Sequence, residues 1–212
     1  MRYIKIKNAD KILEKSKYYV KEPEKNKNNW KEVFGNNNPI HIELGMGRGN
    51  FIIGMAKAYP KINFIGLDFY NSQMVSAVNK LEGTNLPNLK LIHLNALDLA
   101  TVFGKEVDTI YITFPDPWPK KQDEKRRFTH EGYLRIYDRI FKNKKHIILK
   151  TDNSLFFAHS VESLSKYWYV FKKVSLDLHH DEDNIPNVMT DFEKVYLEEG
   201  RPIYYLDAYF EG

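Results

Sequence analysis

Beyond residue 38 the chain alternates short apolar runs with amphipathic stretches. Short apolar runs bounded by turn residues read as strands buried on both faces, and the stretches between them as helices. The alternation therefore predicts βα units wound onto a parallel sheet. Strands are expected at 39–44, 62–68, 89–94, 107–114, 146–152, 168–178 and 203–210, the last opening just after Pro202. Helices are expected over 50–58, 71–83, 131–141 and 154–167. Asn71 suits the cap of the second helix and Gly83 its stop. The predicted fold class is α/β: a doubly wound, mostly parallel seven-stranded sheet over residues 36–212, preceded by a basic extension over residues 1–35 that the sequence leaves open between an ordered and a flexible arm.

The length of 212 residues agrees with one domain. Zero cysteines exclude a disulfide framework and thiolate metal sites, which fits a reducing compartment. No apolar run approaches the roughly 20 residues of a membrane span, and the N-terminus lacks the apolar core of a signal peptide. The expectation is a cytoplasmic protein with no membrane partner. Charge changes the picture more. Residues 1–31 carry ten Lys/Arg against four Asp/Glu, while the rest of the chain carries 22 against 24. A basic arm on a near-neutral body is a common way to engage phosphates, although a solvated tail has the same composition.

In open α/β sheets ligands bind beyond the carboxyl ends of the strands, beside the first strand. Here that position carries "ELGMGRG", with Glu43, Gly45, Gly47 and Gly49. Glycines at alternate positions let the backbone pass close to a ligand. A dinucleotide fingerprint would need its third glycine at position 50, where Asn50 stands, and Glu43 disfavours a pyrophosphate. An acid there suits the amino group of an amino acid. Asp68 closes the second strand, 21 residues past Gly47, where a carboxylate can accept both ribose hydroxyls or cap the following turn. Asn95 follows the third strand. Glu43, Gly45, Gly47, Asp68 and Asn95 together describe a site for a nucleoside bearing an amino acid and no phosphates: S-adenosylmethionine.

The fourth strand ends in "TFPDPWPKKQDEKRR", residues 113–127. Pro115, Pro117 and Pro119 fix φ and remove backbone donors, so Asp116 sits on a stiff corner facing the same ligand. Trp118 can stack on a base or pack beneath the loop. Lys120, Lys121, Lys125, Arg126 and Arg127 follow directly, within reach of RNA phosphates beside the target. The motifs "ELGMGRGNF" (43–51), "PDPWPKKQDEKRR" (115–127), "KTDN" (150–153) and "MTDFEKVYLEEGRPIY" (189–204) resemble those of the bacterial tRNA (guanine-N7-)-methyltransferases over roughly residues 39–205.

The resemblance implies a Rossmann-like class I methyltransferase fold and methyl transfer from S-adenosylmethionine to N7 of a guanosine in the variable loop of tRNA. It puts the cofactor site on Glu43, Asp68, Asn95 and Asp116, with Asp116 also the catalytic position. It puts tRNA or guanine contacts on Lys120, Asp152, Thr190, Asp191, Phe192 and Glu193. Thr190 and Glu193 also have the spacing of a capping box. Four positions depart from the family pattern: Asp68 where Glu is usual, Asn95 where Asp is usual, Thr113 where Asn is common, and Tyr205 where Arg is common. No metal is expected; "DLHHDED" (177–183) reads as a polar loop because adjacent histidines diverge. A nicotinamide oxidoreductase would share the sheet but is opposed by Asn50 and Glu43. A non-catalytic RNA-binding module would need none of the converging carboxylates. Monomer and homodimer stay equally open.

Overall fold

A computed structural model describes residues 6–182 and 187–210. Its seven strands are β1 (Ile40–Leu44), β2 (Asn63–Asp68), β3 (Leu89–His93), β4 (Val107–Thr113), β5 (Lys145–Thr151), β6 (Val170–Ser175) and β7 (Tyr204–Phe210). They form one sheet in the order β3-β2-β1-β4-β5-β7-β6. β1 to β5 are mutually parallel, and β7 runs antiparallel to both β5 and β6. The mostly parallel doubly wound sheet expected from the apolar runs is thus present.

Alternation along each strand separates two cores. On β2, Ile65 and Leu67 face one layer and Phe64 the other; on β4, Ile110 and Ile112 oppose Tyr111. The first layer is covered by α2 (Trp30–Phe34), α5 (Leu99–Val102), α6 (Glu131–Tyr137) and α7 (Ser154–Lys166). The second is covered by α1 (Ala9–Leu13), α3 (Asn50–Ala58) and α4 (Asn71–Lys80). The remaining helix, α8 (Asp191–Glu198), meets a small third cluster of Leu178, Ile203 and Tyr205 through Tyr196. Helices on both faces leave β2 buried at every position, which is why it reads as a continuous apolar run.

Residues 6–35 are built into this body. Tyr18 accepts from Leu91 N at 2.8 Å and Val20 N donates to Leu91 O at 2.9 Å, so the segment runs along β3 and covers an otherwise open sheet edge. Trp30 is fully buried, stacks on Phe103 at 5.3 Å, and donates from Nε1 to Val102 O at 3.0 Å. Glu106 accepts from the backbone of Asn28 and Trp30. The apolar anchors are spaced among the lysines, so composition hides them. Met1–Lys5 of the expected arm lie outside the described residues.

Trp30→Ala should lower unfolding free energy by about 3 to 5 kcal/mol, measured by denaturant titration, because it empties a packed site and orphans Val102 O. A loss under about 1 kcal/mol would mean that residues 6–35 fold independently of the sheet.

Candidate functional site

At the end of β1 the chain turns through Gly45, Gly47 and Gly49 with φ of 68°, 53° and 74°, a region that side chains rarely adopt. Gly49 also faces α4 closely: a Cβ there would lie 2.7 Å from the Ala77 Cβ. Asp68 ties the turn to β2. Its Oδ2 accepts from Gly47 N at 2.9 Å and its Oδ1 from Tyr70 N at 2.7 Å. The turn-capping role is thus present, and it is compatible with a ligand role, since each carboxylate oxygen keeps a second lone pair. Asn95 accepts from Leu97 N at 3.0 Å and caps the 3-10 turn Ala96–Asp98.

Glu43 points into the protein and is 1% exposed. Its Oε1 accepts from Thr113 Oγ1 of β4 at 2.6 Å, while its buried Oε2 meets no hydrogen-bond partner among the described residues. Burial pushes the carboxyl up to about 8, against the pull of Thr113 and the Lys150 charge. A buried acid with one unused oxygen is suited to receive a cation, so these residues fit the amino-acid end of S-adenosylmethionine.

At the end of β4, Phe114 and Trp118 bracket the proline corner with positive φ of 48° and 45°. Left-handed backbone at aromatic residues costs on the order of 1 to 3 kcal/mol each, and persists only when the surroundings impose it. Phe114 N donates to Lys150 O at 2.8 Å. Trp118 O accepts from Arg127 Nε at 3.2 Å and Nη2 at 3.1 Å. Asp116, held between them, is exposed and makes no hydrogen bond or ion pair among the described residues. Trp118 is half-buried, with the Arg126 guanidinium 4.6 Å from its ring centre.

The cation cluster expected to meet phosphates divides in two. Lys120, Lys121 and Lys125 are exposed. The Arg127 side chain is only 12% exposed and turns inward to hold the corner. Sequence spacing alone cannot distinguish these, because both kinds of cation follow one another in the chain.

The second rim is built by α8 and the end of β5. Thr190 and Glu193 form the expected capping box: Glu193 N donates to Thr190 Oγ1 at 2.9 Å and Thr190 N to Glu193 Oε2 at 3.2 Å. Asp191 and Phe192 are exposed, but Glu193 is fully buried, with Lys150 Nζ 2.6 Å from its Oε2. Phe192 lies 6.4 Å from Phe114 and stacks on Tyr196 at 6.2 Å, which joins this rim to the proline corner. Asp152 pairs with Arg201, whose guanidinium lies 4.0 Å from the Tyr196 ring centre. The contacts through Phe114, Lys150, Tyr196 and Arg201 were missed in the sequence. Lys150 alone left a signal, a charge ending the apolar run "HIIL".

His180 Nδ1 lies 2.8 Å from Asp177 Oδ2 at the surface, while His179 turns toward Glu193. The two histidines thus diverge; Asp183 of that stretch lies outside the described residues. The glycine turn, the proline corner and Asp152 follow the carboxyl ends of β1, β4 and β5. Two cavities, of about 330 and 640 Å³, lie against α7, and their linings include none of the expected site residues.

A family model described as "Putative methyltransferase" matches residues 37–206. The tRNA (guanine-N(7)-)-methyltransferase of Geobacillus thermodenitrificans (strain NG80-2) is 47% identical over 200 residues, covering 94% of this chain and 92% of the relative. Among solved structures, the 16S rRNA methyltransferase KamB superposes with a TM-score of 0.66 at 12% identity, over 86% of this chain and 93% of that one. A 16S rRNA (adenine(1408)-N(1))-methyltransferase from Catenulisporales acidiphilia, solved with its cosubstrate SAM, gives 0.60 at 15% identity, over 87% and 91%. These two structures speak for the fold alone.

Two outcomes follow from the site. Glu43 holds its proton more tightly folded, at about 8, than unfolded, near 4.5, so stability falls as pH rises between those values and is level above them. Glu43→Gln removes that loss: its melting temperature should gain on the wild type from about pH 5 to 8 and hold the gain above, while S-adenosylmethionine affinity drops at least tenfold. A pH-independent difference would contradict the burial argument. For RNA binding, Lys121→Ala should reduce the slope of log affinity against log salt by roughly 0.7 to 0.9, and Arg127→Gln should leave it unchanged. Equal changes would put both cations on phosphates.

Proposed function

The chain belongs to the family of the tRNA (guanine-N(7)-)-methyltransferases, and on that premise we propose that it transfers a methyl group from S-adenosylmethionine to N7 of a guanosine in tRNA, giving 7-methylguanosine. The reading is carried by two acids at the carboxyl ends of adjacent parallel strands, Glu43 with one oxygen left unbonded and Asp116 just beyond β4 with no partner among the described residues. Asp116 stays exposed beyond the end of β4, as a residue that meets a substrate must.

S-adenosylmethionine, when bound, supplies an electrophilic methyl group on a sulfonium. Glu43 would hold its amino group, Gly45 and Gly47 would let the backbone approach it, and Asp68 and Asn95 would bind its nucleoside. Guanine N7 carries a lone pair, so no residue has to remove a proton to create the nucleophile. The work left to the chain is to hold N7 in line and exclude water, for which positioning can supply about 7 to 11 kcal/mol. Asp116 would accept from the guanine N–H groups and offset the positive charge that develops on the base. Lys120 and its exposed neighbours would meet phosphates, with Asp152, Thr190, Asp191 and Phe192 on the opposite rim. A tRNA substrate assigns the cytoplasm as the place of action. None of the described helices is long and apolar enough to cross a membrane.

Incubation with unmodified tRNA and methyl-labelled S-adenosylmethionine, then digestion to nucleosides, should put the label in 7-methylguanosine. Label in another nucleoside, or tRNA bound without transfer, would overturn the reading. Asp116→Ala should lower kcat by at least about 100-fold, and Asp116→Asn should fall between it and wild type. Full activity in Asp116→Asn would show that hydrogen bonding suffices without the charge.

A further inference from the structure

Lys150 ends β5 with 2% of its surface exposed, and each of its ammonium protons has a taker. Nζ donates to Asn187 Oδ1 at 2.8 Å, Val188 O at 2.9 Å and Glu193 Oε2 at 2.6 Å. The Phe51 ring, on α3, lies 4.9 Å away on another side. Every acceptor belongs to the approach to α8 or to its first turn. The same residue also holds the other rim, because its carbonyl accepts from Phe114 N at the root of the proline corner and it pairs with Thr113 in the sheet.

Burying two charges costs several kcal/mol each, and an apolar pair would stabilise the fold as well or better. What the ion pair adds is a fixed position. Val188 fits against Gly54 of α3, where a Cβ would come within 2.5 Å of its Cγ1. The lysine thereby seats the segment before α8 on the helix that follows the glycine turn. Phe192 and Tyr196 then meet Phe114.

We propose that Lys150 is a positioning residue for the methyl acceptor: it fixes the spacing between the Asp116 corner and the Thr190–Phe192 rim, and Glu193 serves the substrate through this ion pair without touching it. The inference rests on the methyltransferase reading above. The double variant Lys150→Met/Glu193→Gln removes both charges and keeps a capping-box side chain at position 193. Its tRNA Kd, measured by fluorescence anisotropy, should rise at least tenfold, while its S-adenosylmethionine Kd, by calorimetry, should change several-fold less, the residual change reflecting the Lys150 charge that acts on Glu43. An unchanged tRNA Kd would overturn the proposal, as would parallel losses of both affinities, the mark of a general folding defect. Asn187 is exposed, so Asn187→Ala tests the same link without a core change. It should raise the tRNA Kd severalfold in the wild-type background and have a clearly smaller effect in the double variant, where only its contact with position 193 remains. If the double variant does not fold, an unchanged tRNA Kd in Asn187→Ala alone overturns the proposal. Wild-type protein that binds tRNA but makes no 7-methylguanosine would defeat the functional reading, while these Kd comparisons would still judge the positioning one.

Discussion

Five parallel strands bring their carboxyl ends to one edge of the sheet, and the winding reverses between β1 and β4. Everything chemical in the molecule depends on that reversal. Connections leave β1 and β4 toward opposite sides, so no helix closes the gap above them. Glu43, Asp68, Asn95, Asp116 and Asp152 come from five separate segments and fall along one edge of the sheet because each lies at or just beyond such an end. Four of the five are acids, a density that one edge tolerates only by giving each a different local environment.

Those environments differ in kind. Glu43 is buried, with one oxygen bonded and one idle, and its proton is correspondingly hard to remove. Asp68 is occupied by two backbone donors and shapes the glycine turn. Asp152 is neutralised by Arg201, and Asp116 is left without a partner on a stiff loop. The acids are thus sorted by neighbours into a half-bonded buried acid, a backbone clamp, a structural pair and a carboxylate without a partner among the described residues.

The cations are sorted in the same way. Burial pushes the proton affinity of Lys150 down, against the opposing pull of Glu193 and Glu43. Arg127 spends its planar fork on a single carbonyl, a contact that lysine cannot reproduce. That contact holds Trp118 in a backbone conformation that nothing in its own sequence favours. Exposed Lys120, Lys121 and Lys125 keep their freedom and their field.

The sheet, the glycine turn and the strand-end acids are legible in the sequence. Each is a local pattern: apolar runs set strands, alternate glycines set a turn of positive φ, and polar residues after each run mark its carboxyl end. The capping box at Thr190 was legible for the same reason, since its partners lie three residues apart. Only the tertiary structure decided what each charge does. Whether Arg127 meets solvent or a carbonyl, whether Glu193 is open or buried under Lys150, and whether residues 6–35 form an arm or an edge cover all turn on contacts between distant segments. Burial and pairing are properties of those contacts, and a one-dimensional pattern carries charge without carrying its partner.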